Sequence, residues 1–152
     1  MPLPYRLNVG AVLFGPDGRV LVGKRAGFPG AWQLPQGGID EGEDPRVAVL
    51  RELLEEVGTD KAEILGEHSE WLTYDLPPEL MGVAWGGKFG GQRQKWFALR
   101  FLGVDSDIDL EADKHPEFED WKWVALSELP ALAVAFKRDI YKVIARDFAI
   151  YV

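Results

Sequence analysis

Cysteine is absent from this chain of 152 residues, and with it go disulfides, thiolate metal sites and a thiol nucleophile. Histidine is scarce: His68 and His115 are too few for a histidine-rich zinc site. Serine occurs only at Ser69, Ser106 and Ser127, none inside a Gly-x-Ser-x-Gly elbow, which argues against a serine hydrolase. No apolar run approaches the ~18 residues of a membrane-spanning helix. The N-terminus lacks a basic stretch followed by an apolar one and a cleavage site, so a cytoplasmic protein with no membrane partner is expected. Low-complexity linkers and internal repeats are missing as well. The length suits a single domain, 1–152, acting as a monomer with a core of its own. Positive charge is in deficit: 17 Lys and Arg stand against 25 Asp and Glu, a net −8. Taken alone, that balance argues against a polyanion gripped by bulk charge, such as duplex DNA.

The deficit is local. Residues 40–63 hold nine acids against three bases, and residues 105–120 hold eight acids against Lys114 alone. Those blocks carry −6 and −7, so the remainder of the chain sums to +5. A mildly basic protein carries two acidic blocks, and the question becomes what the blocks hold.

Turn and periodicity signals organise the rest. Val9–Phe14 and Arg19–Lys24 are apolar runs around Gly15-Pro16-Asp17-Gly18, which predicts a β-hairpin. Trp32–Pro35 reads as a short strand, Ile64–Tyr74 as extended chain, and the five glycines of residues 82–91 as a loop. Lys95–Leu102 is apolar enough to be a strand covered on both faces, and Trp121–Val124 is a further short strand. Trp96, Trp121 and Trp123 are expected in the core. Asp44 as N-cap, Pro45 in the first turn and Gly58 as stop signal bound one helix. Phe136, Ile140, Val143, Ile144 and Phe148 recur at helical spacing and predict a closing amphipathic helix. Strands mixed with two clear helices give an α/β or α+β sandwich.

The helix over 45–57 is the most informative element. Glu52, Glu55 and Glu56 stand at i, i+3 and i+4, within an arc of roughly 100°. Like charges on one face repel, and two of these sit at the end of the helix where the dipole disfavours them. Arg51 can pair with Glu55 but cannot balance the cluster. A hard divalent cation against this face would account for it, since Mg²⁺ and Mn²⁺ take carboxylates together with water and substrate phosphates. A solvated acidic face is the competing reading.

The flanking residues decide between them. Gly37 is followed by Glu43 and then by Arg51-Glu52-Leu53-Leu54-Glu55-Glu56-Val57-Gly58-Thr59. This resembles the signature of the Nudix hydrolases, Gly-x5-Glu-x7-Arg-Glu-aliphatic-x-Glu-Glu-x-Gly-aliphatic. Only Thr59 departs, at a packing position. The resemblance implies the Nudix fold, an α/β/α sandwich around a mixed β-sheet, and Mg²⁺- or Mn²⁺-dependent hydrolysis of nucleoside diphosphate linkages. It makes Glu52, Glu55 and Glu56 metal ligands, adds the Gly37 carbonyl, and assigns Glu43 and Arg51 to bracing the loop against the helix.

Further segments extend the likeness over nearly the whole chain. They include Tyr5-Arg6-x-Asn8-Val9-Gly10, Trp32 to Ile39, Trp71 to Pro77, Gly91 to Phe97, Pro116-Glu117-Phe118 and Phe136-Lys137-Arg138. Together they are similar to the subgroup holding bacterial RNA pyrophosphohydrolases and plant-type diadenosine tetraphosphate hydrolases. That similarity makes Glu117 a further metal ligand or catalytic base, and places Tyr74 and Phe136 near a nucleobase. The other acids of the second block read as a solvated loop. A polyphosphate needs cations, and Arg6, Lys24, Arg25, Lys88, Arg93 and Lys95 flank the expected site. Of these, Arg6, Arg25, Arg93 and Lys95 are the candidates for substrate contact, the alternative for each being an ordinary exposed cation. Gln36 and Gln94 are candidates for orienting water or phosphate. Tyr74, lying between Trp71 and Pro77, is expected to be exposed.

The expected substrates are diadenosine tetraphosphate, giving ATP and AMP, and the 5′-triphosphate end of RNA, giving a 5′-monophosphate. A divalent cation would lower the pKa of the attacking water, with Glu55, Glu56 or Glu117 taking its proton. Two rivals share the motif: a hydrolase of modified nucleoside triphosphates, and a nucleotide-binding module without activity.

Overall fold

The computed structural model describes residues 3–25, 32–113 and 116–152; Lys114 and His115 lie outside them. The longest strands are β1 (Tyr5–Phe14) and β7 (Gly91–Phe101), which run parallel at the centre of the sheet from Tyr5↔Gly91 to Phe14↔Arg100. Antiparallel strands complete it. β2 (Val20–Arg25) joins β1, β3 (Trp32–Gln33) joins β2, β4 (Gln36–Gly38) joins β1, and β8 (Phe118–Val124) joins β2. On the other flank β5 (Ala62–Glu67) and β6 (Leu72–Asp75) both pair with β7. The sheet is therefore mixed.

Period-two alternation explains why a helix covers each face. Even-numbered Val12, Phe14, Trp96 and Ala98 pack in one cluster with Ile140, Tyr141 and Ile144 of α3 (Arg138–Asp147). Odd-numbered Val9, Ala11, Leu13, Phe97 and Leu99 pack in the other with Ala48, Val49, Leu53 and Val57 of α1 (Pro45–Val57). A short α2 (Leu129–Leu132) lies between β8 and α3. Trp96 lies so flat against β1 that a β-carbon on Gly10 would overlap its ring.

The caps of α1 match the expectation. The Asp44 carboxylate accepts from the Arg46 N–H at 2.8 Å, and Gly58, at φ 80°, donates to the Leu54 carbonyl. Three expectations need correction. The Gly15–Gly18 turn forms, but its strands splay after Phe14↔Val20. Beyond that pair the edge of β1 facing β2 is taken by residues 35–38, with Ala11 N donating to the Pro35 carbonyl and β4 pairing at Asn8–Gly10, while β2 pairs with β3 and β8. Ile64–Tyr74 is two strands rather than one, because His68 N donates to the Trp96 carbonyl and Lys95 Nζ to the His68 carbonyl at the break. Of the three tryptophans only Trp96 is fully buried. Trp121 and Trp123 pack edge to face at the border of the α1 cluster and are partly exposed. Among the described residues no helix is long and apolar enough to cross a membrane.

Candidate active site

The carboxylate helix meets the sheet at β4. A β-carbon on Gly37 would fall on the Glu52 carboxylate, so only glycine allows this approach. Arg51 holds the corner. Its Nε and Nη2 each donate to Glu43 at 2.8 Å, Nη2 also reaches the Gly38 carbonyl at 2.9 Å, and Nη1 donates to Glu52 at 2.8 Å. Glu43 also accepts from the Asp40 N–H, and these bonds hold its carboxyl down at about 2. Paired to a guanidinium through two parallel bonds, Glu43 is geometrically bound to a bracing position.

The other glutamates are pushed the opposite way. Burial raises Glu52 to about 7, helped by the charges of Glu55 and Glu117 and opposed by Arg51. Glu56 is buried and raised well above the usual carboxylate range, first by burial and next by the charge of Glu117. Its Oε2 accepts from the Gln36 N–H at 3.3 Å, while its Oε1 has no hydrogen-bond partner among the described residues. Glu55 differs: it is exposed and turned to Arg51 at 3.3 Å. Among the described residues no three acidic, histidine or cysteine side chains form a ready-made metal cage. Even so, a buried carboxylate oxygen without a donor, two acids destabilised by a third, and a glycine-lined approach suit a hard cation. Glu52, Glu56 and Glu117 with the Gly37 backbone would hold it.

A cavity of about 270 Å³ opens beside this cluster on the α3 face, with Gly37 and Glu117 on its acidic side. Arg6, Arg25 and Lys137 bring cations to it, and Tyr74 and Phe136 bring rings whose centroids lie 5.6 Å apart. Tyr74 is not exposed as expected but only 8% accessible, because its position on β6 faces α3 and its hydroxyl accepts from Gln92 Nε2 at 2.6 Å. Gln36 lines the cavity and accepts from Gln94 Nε2 at 3.0 Å. Gln94 also donates to Asn8 and accepts from Trp96 Nε1, so it fixes a buried network and does not face the cavity.

Two expected substrate contacts lie elsewhere. Arg93 and Lys95 occupy odd positions of β7, which alternation turns away from the cavity. Arg93 stands over Trp71, and Lys95 donates to the His68 carbonyl at 2.6 Å. Lys24 pairs with Glu119 at 3.3 Å.

The geometry thus pairs an acidic corner with a cationic, aromatic cavity. Residues 4–144 match the NUDIX domain. The chain belongs to the NUDIX family. An RNA pyrophosphohydrolase of Acidiphilium cryptum is 60% identical over 151 residues, covering 97% of this chain and 92% of that one. That of Gluconacetobacter diazotrophicus is 58% identical over 155 residues, covering 97% and 93%. The solved E. coli dihydroneopterin triphosphate pyrophosphohydrolase shares the Nudix fold, with a TM-score of 0.72 at 22% identity over 95% of this chain and 99% of that one. Nudix hydrolases in general use divalent cations.

Sequence reasoning missed Lys137. It stands within Phe136-Lys137-Arg138 with no charge pattern around it, and a lysine is ordinarily exposed. Here it is buried beside Tyr74 and Phe136, donates to Gln33 Oε1 at 3.4 Å, and is lowered to about 8 by burial and by the charge of Arg25. The only signal in the sequence was its place next to Phe136, at the start of the last helix.

Proposed function

We propose that this chain is a Mg²⁺- or Mn²⁺-dependent pyrophosphohydrolase acting on RNA 5′-triphosphate ends in the cytoplasm, as one domain over residues 1–152 and as a monomer. The arrangement that carries the reading is the junction of Glu52, Glu56 and Glu117 with a cavity bearing Arg6, Arg25 and Lys137. Its high-identity relatives bearing the name RNA pyrophosphohydrolase support the same substrate.

The cations bind the phosphate oxygens, and the aromatic pair receives the base. Water attacks phosphorus, the anhydride P–O bond breaks, and pyrophosphate departs with the bonding electrons. A divalent cation, when bound, adds charge neutralisation and makes the water more acidic. Glu56 and Glu117, drawn together where two negative charges are disfavoured, take up the proton of that water. Glu43 and Arg51 keep Glu52 in place. Glu55, one turn along the same face, joins the ligand set by the family's pattern. The site grips a single phosphorylated end, so a net negative protein has no need to track duplex DNA.

Diadenosine tetraphosphate, cleaved to ATP and AMP, fits the same chemistry. Purified protein with Mg²⁺ or Mn²⁺ is expected to convert triphosphorylated RNA to its monophosphorylated form with release of pyrophosphate. Absence of product from both RNA and diadenosine tetraphosphate overturns the assignment. Preference for modified nucleoside triphosphates identifies a nucleotide-pool hydrolase instead, and binding without turnover identifies a non-catalytic module.

A further inference from the structure

Tyr74, Gln92 and Arg6 form a row across three neighbouring strands. Tyr74 of β6 pairs with Gln92 of β7, and Gln92 pairs with Arg6 of β1. Hydrogen bonds join them: Arg6 Nη1 donates to Gln92 Oε1 at 2.9 Å, and Gln92 Nε2 donates to the Tyr74 hydroxyl at 2.6 Å. All three line the cavity. With strands ~4.8 Å apart, this floor spans roughly 10 Å from β6 to β1.

Its two ends carry different rings. Phe136 packs on Tyr74 at one end, and the indole of Trp85 lies 5.4 Å from the Arg6 guanidinium at the other. A base sandwiched between Tyr74 and Phe136 would need a centroid spacing of about 7 Å, two stacking gaps of ~3.5 Å. Their 5.6 Å separation and 42° tilt leave no such room. A base in this cavity therefore meets the pair on one side only, and Trp85 is the aromatic side chain at the far end.

Trp85 is also held at a conformational cost. Among the described residues it alone combines a side chain with positive φ (52°), in a run continued by Gly86 and Gly87. A bulky residue is strained in the left-handed region and persists there where its surroundings over-determine it. The loop that carries it leaves β6 and returns to β7, closed at its base by Leu76 N donating to the Gly90 carbonyl at 2.8 Å. Phe89 meets Trp85 edge to face at 6.2 Å and supports the indole from behind.

We propose that Trp85 is the second wall of a nucleobase clamp whose first wall is the Tyr74–Phe136 pair, with Arg6 below it poised between the indole and the phosphates. Trp85 is then a specificity residue that distinguishes a nucleoside polyphosphate from a bare polyphosphate chain. The clamp rests on the functional reading above only for the class of ligand. It is tested by binding rather than turnover, so the two fail separately.

The test measures Kd by calorimetry for a non-hydrolysable, methylene-bridged nucleoside triphosphate and for inorganic tripolyphosphate. Wild type, Trp85→Ala and Trp85→Phe are compared, with thermal unfolding of each. Stacking on one aromatic side chain is worth roughly 5- to 100-fold in affinity. Trp85→Ala is expected to weaken the nucleotide by that factor and leave tripolyphosphate unchanged, while Trp85→Phe restores most of the loss. Equal weakening of both ligands, unchanged binding of both, or failure of the wild-type protein to prefer the nucleotide each overturns the proposal.

Discussion

The guanidinium of Arg51 spans two glutamates that have opposite needs: it grips Glu43 through two bonds of 2.8 Å and touches Glu52 through a third of the same length. Glu43 is thereby kept ionised at about 2, while Glu52, for which desolvation outweighs its single bond to Arg51, rises to about 7. One cation organises the corner, and it leaves uncompensated negative charge where a divalent ion fits.

Loosening that brace should act through metal affinity. Glu43→Gln keeps the shape but loses a charge-assisted bond to Arg51, and partners that orient a metal ligand are typically worth 10- to 100-fold. A shift of that size in the Mg²⁺ or Mn²⁺ concentration for half-maximal turnover, with an unchanged fold by circular dichroism, is the expected outcome.

Gly37→Ala tests the approach of β4 to the helix. The added β-carbon overlaps the Glu52 carboxylate, which must swing away. Misplacing a catalytic group by about 1 Å costs ~100-fold in rate. Turnover is expected to fall by at least that much; wild-type turnover would mean that Glu52 has freedom the packing does not suggest.

The raised carboxyls also make a stability prediction for the protein freed of metal. Glu52 and Glu56 bind protons more tightly folded than unfolded, so their contribution is present below the ordinary glutamate value of 4.5 and is lost as pH rises, through about 7 for Glu52 and through its own raised value for Glu56. The melting temperature of chelator-treated protein is expected to fall across that window. Glu56→Gln should flatten the fall while reducing turnover by orders of magnitude, and added divalent ion should reverse it in wild type.

Lys137 carries the opposite sign. Its ammonium is disfavoured by burial and by Arg25, so it loses its proton as pH rises through about 8. Phosphate binding favours the charged form, so binding takes up a proton near that pH. KM for triphosphorylated RNA is expected to rise above pH 8 in wild type. Lys137→Arg, which stays charged, should remove the rise, and a profile identical in both proteins would exclude Lys137 from phosphate contact.

What the sequence determined by itself was local. Asp44, Pro45 and Gly58 bound α1 because caps act within one turn, and Glu52, Glu55 and Glu56 share a face because helical spacing puts them there. The same spacing, read with Gly37, Glu43 and Arg51, was enough to mark the acidic corner. Tertiary structure decided what depends on partners far along the chain. Residues 32–38, pairing with β1 through β4 and with β2 through β3, opened the local hairpin, and strand parity sent Arg93 and Lys95 to one face and Arg6, Tyr74 and Gln92 to the other. A one-residue change of register reverses which side chains reach the cavity, and no local pattern encodes that register when both faces are apolar. Burial of Lys137 beside Tyr74, and the placing of Trp85 over Arg6, arise only when α3 and the loop after β6 close over the same end of the sheet. Acidic residues a turn apart announce themselves; a cation and two aromatic walls drawn from four distant segments do not.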